Sequence, residues 1–290
     1  MAKLNLIGLG LLIISGGAVR LTDSGLGCPQ WPSCGRTTFV GPLSLHKDVE
    51  FGNRILSTVI SILVVLTVVA AWRLVSPRTD LKRVAGLVVV GVLAQIVAGG
   101  LVVKSHLWPP LVIVHFLLSE ALVGVGVYLV WRIDHPYGMD NRVVDKKLVM
   151  LARGLVFSTG ILVVLGSTTS GAGPHGGSRG AARLPISFRG ISEAHATFAA
   201  YLVGLIVATM FACLVAGVTP EILKRARTLV VVTLAQGAIG YTQYFLHDPG
   251  YIVVFHLAGA TVVIIAVLNF YLGLFSARKP VATNVPVGIQ

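Results

Sequence analysis

LAQIVAGG at residues 93–100 and LAQGAIGY at residues 234–241 share an opening, a glutamine and a glycine at one spacing. An offset of 141 carries Gln95 to Gln236 and Gly99 to Gly240 and, beyond the quoted stretches, His106 to His247 and His115 to His256. Four matches at one offset mark an internal repeat. The segments before them agree more loosely. An offset of 142 takes Asn53 to His195, and SGLG at Ser24 precedes SGAG at Ser170 by 146, as a change of loop length allows. The chain therefore divides into two like units, residues 1–132 and residues 147–276.

Composition says what each unit is made of. Of 290 residues, 55% are hydrophobic and only 12% charged, and the mean hydropathy is +0.85. The apolar residues form blocks at roughly 4–21, 54–75, 84–103, 109–131, 148–169, 193–216, 229–246 and 251–275. Each is near the ~20 residues that cross a bilayer as a helix. The expectation is an all-α integral membrane protein with eight transmembrane helices, arranged as two parallel-repeat four-helix bundles. Four crossings restore the starting side, so both units share one orientation. The net charge of +12 does not indicate a nucleic-acid partner, because the basic residues lie between apolar blocks, where topology signals belong. The first block reads as a retained helix: no small-residue cleavage site precedes Arg20, and Gly16-Gly17 suits close helix packing.

With the amino terminus in the cytoplasm, fifteen Lys and Arg residues fall on the cytoplasmic side, among them Lys146, Lys147, Arg278 and Lys279. Eight fall opposite: Arg20, Arg36, Lys47, Arg54, Lys104, Arg179, Arg183 and Arg189. The bias predicts a multi-pass protein of the plasma membrane with both termini cytoplasmic. TDSGLGCPQWPSCGR at residues 22–36 then lies in the more oxidising compartment. There a Cys28–Cys34 disulfide is the first reading, stiffened by Trp31, Pro29 and Pro32. A redox-active or metal-transfer pair is the competing one, since two cysteines are too few for a closed zinc site. Cys213 reads as a buried thiol.

Three histidines fall inside predicted spans: His115 in the fourth, His195 in the sixth and His256 in the eighth. All three spans enter from the outer face, and a rise of 1.5 Å per residue puts these histidines in one layer of the outer membrane third. A lone intramembrane histidine can simply bond a neighbour. Two facing imidazoles at one depth are instead what a haem iron takes as axial ligands. His195 and His256 form such a pair in the second unit, with Ala194, Ala196, Ala258 and Gly259 small enough to admit a flat macrocycle. In the first unit His115 faces Asn53, a poor haem ligand, which suits a more weakly ligated porphyrin with one open face.

EFGNR places Glu50, Asn53 and Arg54 within about one turn near the start of the second span. Glu50 and Arg54 read either as a four-spaced ion pair or as a proton-handling carboxylate beside a guanidinium that faces a propionate. His106, His247, Lys104, Arg183 and Arg189 are further propionate candidates or plain interfacial residues. SGAGPHGGSRG at residues 170–180 lacks the strand and lysine of a phosphate loop and reads as a mobile outer loop.

These motifs together, GGAVRLTDSGLGCPQWPSCGR, EFGNR, LAQIVAGG with VIVHFLLSEA, and LAQGAIG with VVFHLAGA, resemble the haem A synthase (CtaA/Cox15) family over nearly the whole chain. The resemblance implies oxidation of the C8 methyl group of haem O to a formyl group, giving haem A for aa3-type terminal oxidases. It implies two similar four-helix bundles, with cofactor haem b in the carboxyl-terminal one and substrate haem O in the amino-terminal one. Carried over by residue, it assigns His195 and His256 to the haem b iron and His115 to the substrate iron. It assigns catalysis to Glu50, and a disulfide, proposed by some to be redox-active, to Cys28 and Cys34. A haem O synthase and a membrane electron acceptor are the implied partners. The chain departs from the family at Asn53, where many members have histidine. It also lacks the second cysteine pair that some members carry between the fifth and sixth helices. A di-haem electron carrier is the alternative. It is disfavoured by the single layer of candidate ligands and by Asn53, since a carrier places its haems at different depths.

Overall fold

The computed structural model describes residues 1–28, 30–34, 44–74 and 78–277; Pro29, Arg36, Arg278 and Lys279, used above, lie outside them. The described residues form eight helices: α1 (Ala2–Leu21), α2 (Leu45–Trp72), α3 (Thr79–Lys104), α4 (Pro109–Asp134), α5 (Lys146–Ala172), α6 (Phe188–Val215), α7 (Pro220–Phe245) and α8 (Gly250–Leu272). Seven are long and apolar enough to cross a membrane. The exception is α7, whose first turns carry Lys224, Arg225 and Arg227 and whose last turns carry Gln236, Thr242 and Gln243. The protein is thus an all-α polytopic membrane protein.

Helix starts follow local chemistry. Pro109 and Pro220 begin α4 and α7, where a missing N–H is harmless. Asp145, Ser187 and Thr219 cap α5, α6 and α7 with side-chain oxygens. Helices α2 and α6 start well before the apolar blocks that announced them, because hydropathy registers only the part immersed in hydrocarbon while the helix continues through the polar interface.

Contacts close two rings. α1 packs on α2 and α4, with α2 on α3 and α3 on α4; α5 packs on α6 and α8, with α6 on α7 and α7 on α8. α1–α8, α4–α8 and α4–α5 contacts join the rings. The repeat reaches backbone detail. His106 and Leu107 after α3, like His247 and Asp248 after α7, have left-handed φ values of 53°, 63°, 63° and 59°. At the seam, Thr261 Oγ1 of α8 donates to Glu120 Oε1 of α4 at 2.8 Å. These two residues are themselves 141 apart, so equivalent positions of the two copies meet.

Both ends are tied. At the end carrying Cys28, Arg20 of α1 donates to Ser170 Oγ (2.7 Å), Ser170 O (2.6 Å) and His175 O (2.7 Å), while the His175 ring lies 2.7 Å from Asp248 O. Gly25 N–H donates to Gly177 O at 2.8 Å, an approach that a side chain on Gly25 would block. Residues 170–177, expected to be mobile, are therefore anchored to the first half of the chain. At the opposite end Asp80 bridges Arg78 (2.8 Å) and Arg132 (3.1 Å), joining the start of α3 to the end of α4. Partly exposed pairs of this kind contribute ~1 kcal/mol or less each.

Candidate functional site

Asn53, His115, His195 and His256 each fall within the first nine residues of their helix, α2, α4, α6 and α8. At 1.5 Å per residue they share a layer, on the side of the molecule that holds Cys28. Each histidine is half-buried against a glycine of the preceding helix. A Cβ built on Gly99 of α3 would lie 3.3 Å from His115 Cε1; on Gly166 of α5, 3.0 Å from His195 Cε1; on Gly240 of α7, 2.9 Å from His256 Cε1. Three times the sequence removes a side chain where an imidazole needs room.

His195 and His256 face each other with ring centroids 6.3 Å apart and planes at 79°. Two imidazoles on one metal, each with a metal–nitrogen bond of ~2 Å, place their centroids roughly 6 Å apart. That spacing suits an iron held between two histidines. Among the described residues no group of three or more His, Cys, Asp and Glu forms a conventional metal cluster. Haem does not need one, since its macrocycle supplies the remaining ligands.

The first half differs. Ser15 of α1 donates to Asn53 Oδ1 at 2.6 Å, so the amide oxygen is engaged inside the protein. Glu50 is 4% exposed. Its Oε2 accepts from Cys28 N at 2.6 Å, and its Oε1 accepts from Arg54. Arg54 also donates to the carbonyls of Cys28 (3.0 Å), Gln30 (2.8 Å), Pro32 (3.1 Å) and Ser33 (3.0 Å). Cys28 and Cys34 are joined in a disulfide. The ion pair and the loop thus form one unit, in which the guanidinium collects the loop's carbonyls and the carboxylate neutralises it. Arg54, expected toward a propionate, is directed at main-chain oxygens. Trp31 of the same loop lies over Gly100 of α3, where a Cβ would meet its ring at 3.1 Å.

Some residues carried no functional signal in the sequence. Arg20 figured there as a charge on one side and inside a quoted motif without a role, yet it ties α1 to the end of α5. Glu120 stood inside a quoted motif without a role; it is 4% exposed, and its Oε2 has no partner. A carboxylate in an apolar helix is itself the signal that could have flagged it. His106 and His247, which the sequence did mark as propionate candidates, occupy the equivalent left-handed turns.

Comparison with known proteins follows this geometry. Residues 46–174 match the COX15-CtaA family, described as cytochrome oxidase assembly protein. That stretch holds Glu50, Asn53, Arg54 and His115 but not His195 or His256. A haem A synthase of Lysinibacillus sphaericus is 30% identical over 167 residues, 54% of either chain. Haem A synthases of Bacillus cereus (strain AH187) and Bacillus mycoides are each 28% identical over 171 residues, 58% of this chain and 55% of theirs. The matched region spans about half the length of these curated relatives.

Proposed function

We propose, from the family-level match to the COX15-CtaA/haem A synthase family, that this chain oxidises the C8 methyl group of haem O to a formyl group, making haem A for aa3-type terminal oxidases. Residues 1–132 form the four-helix unit that takes haem O, and residues 147–276 the unit that holds haem b. The observation that carries the reading is the His195–His256 pair at 6.3 Å beside a first half with one histidine and Asn53.

In this reading His195 and His256 hold haem b, which supplies one-electron acceptance when bound. His115 positions the iron of the substrate. Asn53, drawn toward Ser15, leaves the opposite face without a second imidazole. Haem O enters from the bilayer, which suits its farnesyl tail. Conversion of methyl to formyl with one water as oxygen source releases four electrons and four protons, the electrons passing to a one-electron acceptor in the membrane. Glu50 is the protein group for the proton side. Its carboxylate is fixed by Cys28 N–H and Arg54, so it is oriented before substrate arrives and stabilises positive charge at the oxidised carbon. The disulfide loop closes this end against water. The chain sits in the plasma membrane with both termini cytoplasmic, which places the loop outside, and a haem O synthase delivers the substrate.

The test gives haem O to membranes containing the wild type or Glu50→Ala and identifies the pigments by liquid chromatography and mass spectrometry. The variant should keep haem b and lose on the order of 10²–10⁴-fold in conversion. Normal turnover by Glu50→Ala would remove Glu50 from the mechanism; no conversion by the wild type with an acceptor present would remove the reaction.

A further inference from the structure

The repeat at residues 93–100 and 234–241 puts a glutamine four residues before the glycine behind each of two histidines. On a helix, that spacing places both on one face. Gln95 Nε2 of α3 donates to the main-chain carbonyl of His115 at 3.1 Å. Gln236 Nε2 of α7 donates to the main-chain carbonyl of His256 at 2.8 Å, and the same nitrogen lies 3.1 Å from His256 Nδ1. In both copies the amide therefore grips the histidine residue itself. In both copies, too, the amide oxygen is buried without a partner, and His115 Nδ1 is a buried atom without a partner beside Gln95.

An imidazole that offers Nε2 to a metal carries its proton on Nδ1, and ligating histidines donate that proton to a neighbouring oxygen. Each unpartnered Oε1 belongs to the side chain already bound to that histidine. A half turn about the last glutamine torsion, which is broad, puts Oε1 in the place of Nε2 beside Nδ1 and gives up the bond to the main-chain carbonyl. We infer that Gln95 and Gln236 are positioning residues: through Oε1 they accept the Nδ1 proton of His115 and His256, fixing the tautomer that presents Nε2 to a haem iron.

The two copies differ in the space given to the amide. A Cβ on Gly259 of α8 would collide with Gln236 Oε1, so Gly259 is the room the amide occupies. The equivalent position in α4 is Leu118. Gly259, counted at first among small residues admitting a macrocycle, serves the glutamine. The half with two histidines thus holds its glutamine tightly, and the half with one holds it less closely. This inference rests on the haem-ligand reading above.

The experiment is a redox titration of the haem b retained by the purified protein, in the wild type, Gln236→Glu, Gln236→Leu and Gly259→Ala. A carboxylate on Nδ1 gives the imidazole more anionic character and lowers the midpoint potential. Leucine removes the acceptor and raises it. Gly259→Ala, which displaces the amide without altering it, shifts the potential in the direction of leucine and gives a second route if Gln236→Leu does not fold. Gln95→Leu leaves the haem b potential in place and weakens haem O binding on the order of 10- to 100-fold. Equal potentials in Gln236→Glu and Gln236→Leu, with haem b bound in both, would overturn the inference. A wild type that binds no haem would overturn the reading beneath it instead.

Discussion

The two halves carry the same histidine on α4 and α8 but differ opposite it, and the difference extends beyond one substitution. Where α6 carries His195, α5 provides Gly166, whose missing side chain makes room for the ring. Where α2 carries Asn53, α1 provides Ser15, whose hydroxyl bonds the amide. Each helix pair is adapted to its own residue. The comparison teaches that the first half bonds its asparagine internally, where the second makes room for an imidazole. Under the proposed function, two imidazoles suit holding a haem and passing electrons, whereas a single one leaves a face of the substrate iron free.

The comparison can be broken by making the halves alike. Ser15→Gly with Asn53→His gives α1 and α2 the pair found in α5 and α6. The double variant should bind haem in the first half as a second low-spin bis-histidine centre and lose conversion of haem O, read by electron paramagnetic resonance and pigment analysis. Full conversion alongside a second low-spin signal would show that the open face is not needed. A smaller effect sharpens the contrast. Gly240→Ala brings a Cβ to 2.9 Å from His256, while Gly99→Ala brings one to only 3.3 Å from His115. Gly240→Ala should weaken haem b retention by about 10- to 100-fold, and Gly99→Ala should leave haem b in place. Thr261→Val tests the seam, removing the hydroxyl bond to Glu120 between equivalent positions. Intramembrane hydrogen bonds average ~0.6 kcal/mol, so thermal stability should fall slightly with haem content unchanged. A large loss of haem b would make that bond more than a joint.

The sequence revealed periodic and repeated features well. Apolar blocks located the eight helices, and position within each block located the histidine layer, because depth in a helix follows directly from residue number. Boundaries were poorer at α2, where the helix begins at Leu45 and takes in Glu50 well inside its first turns. α7 falls short of the apolar character of the other seven, because its first turns carry Lys224, Arg225 and Arg227 and its last turns Gln236, Thr242 and Gln243. Long-range polar ties were not legible at all. Nothing local to Arg20 announces Ser170 and His175 as its partners, and nothing local to Arg54 announces four loop carbonyls. Those partners are set by helix packing, which a single sequence expresses only through the fold.

The measurement that bears most directly on the asymmetry compares the low-spin haem signal of the purified wild type with those of His115→Ala and His256→Ala, by optical and electron paramagnetic resonance spectroscopy. The account predicts one bis-histidine haem b in the wild type, its persistence in His115→Ala with loss of haem O binding, and its disappearance in His256→Ala. Loss of that signal in His115→Ala with retention in His256→Ala would place the resident haem in the first half and contradict the assignment of the two sites.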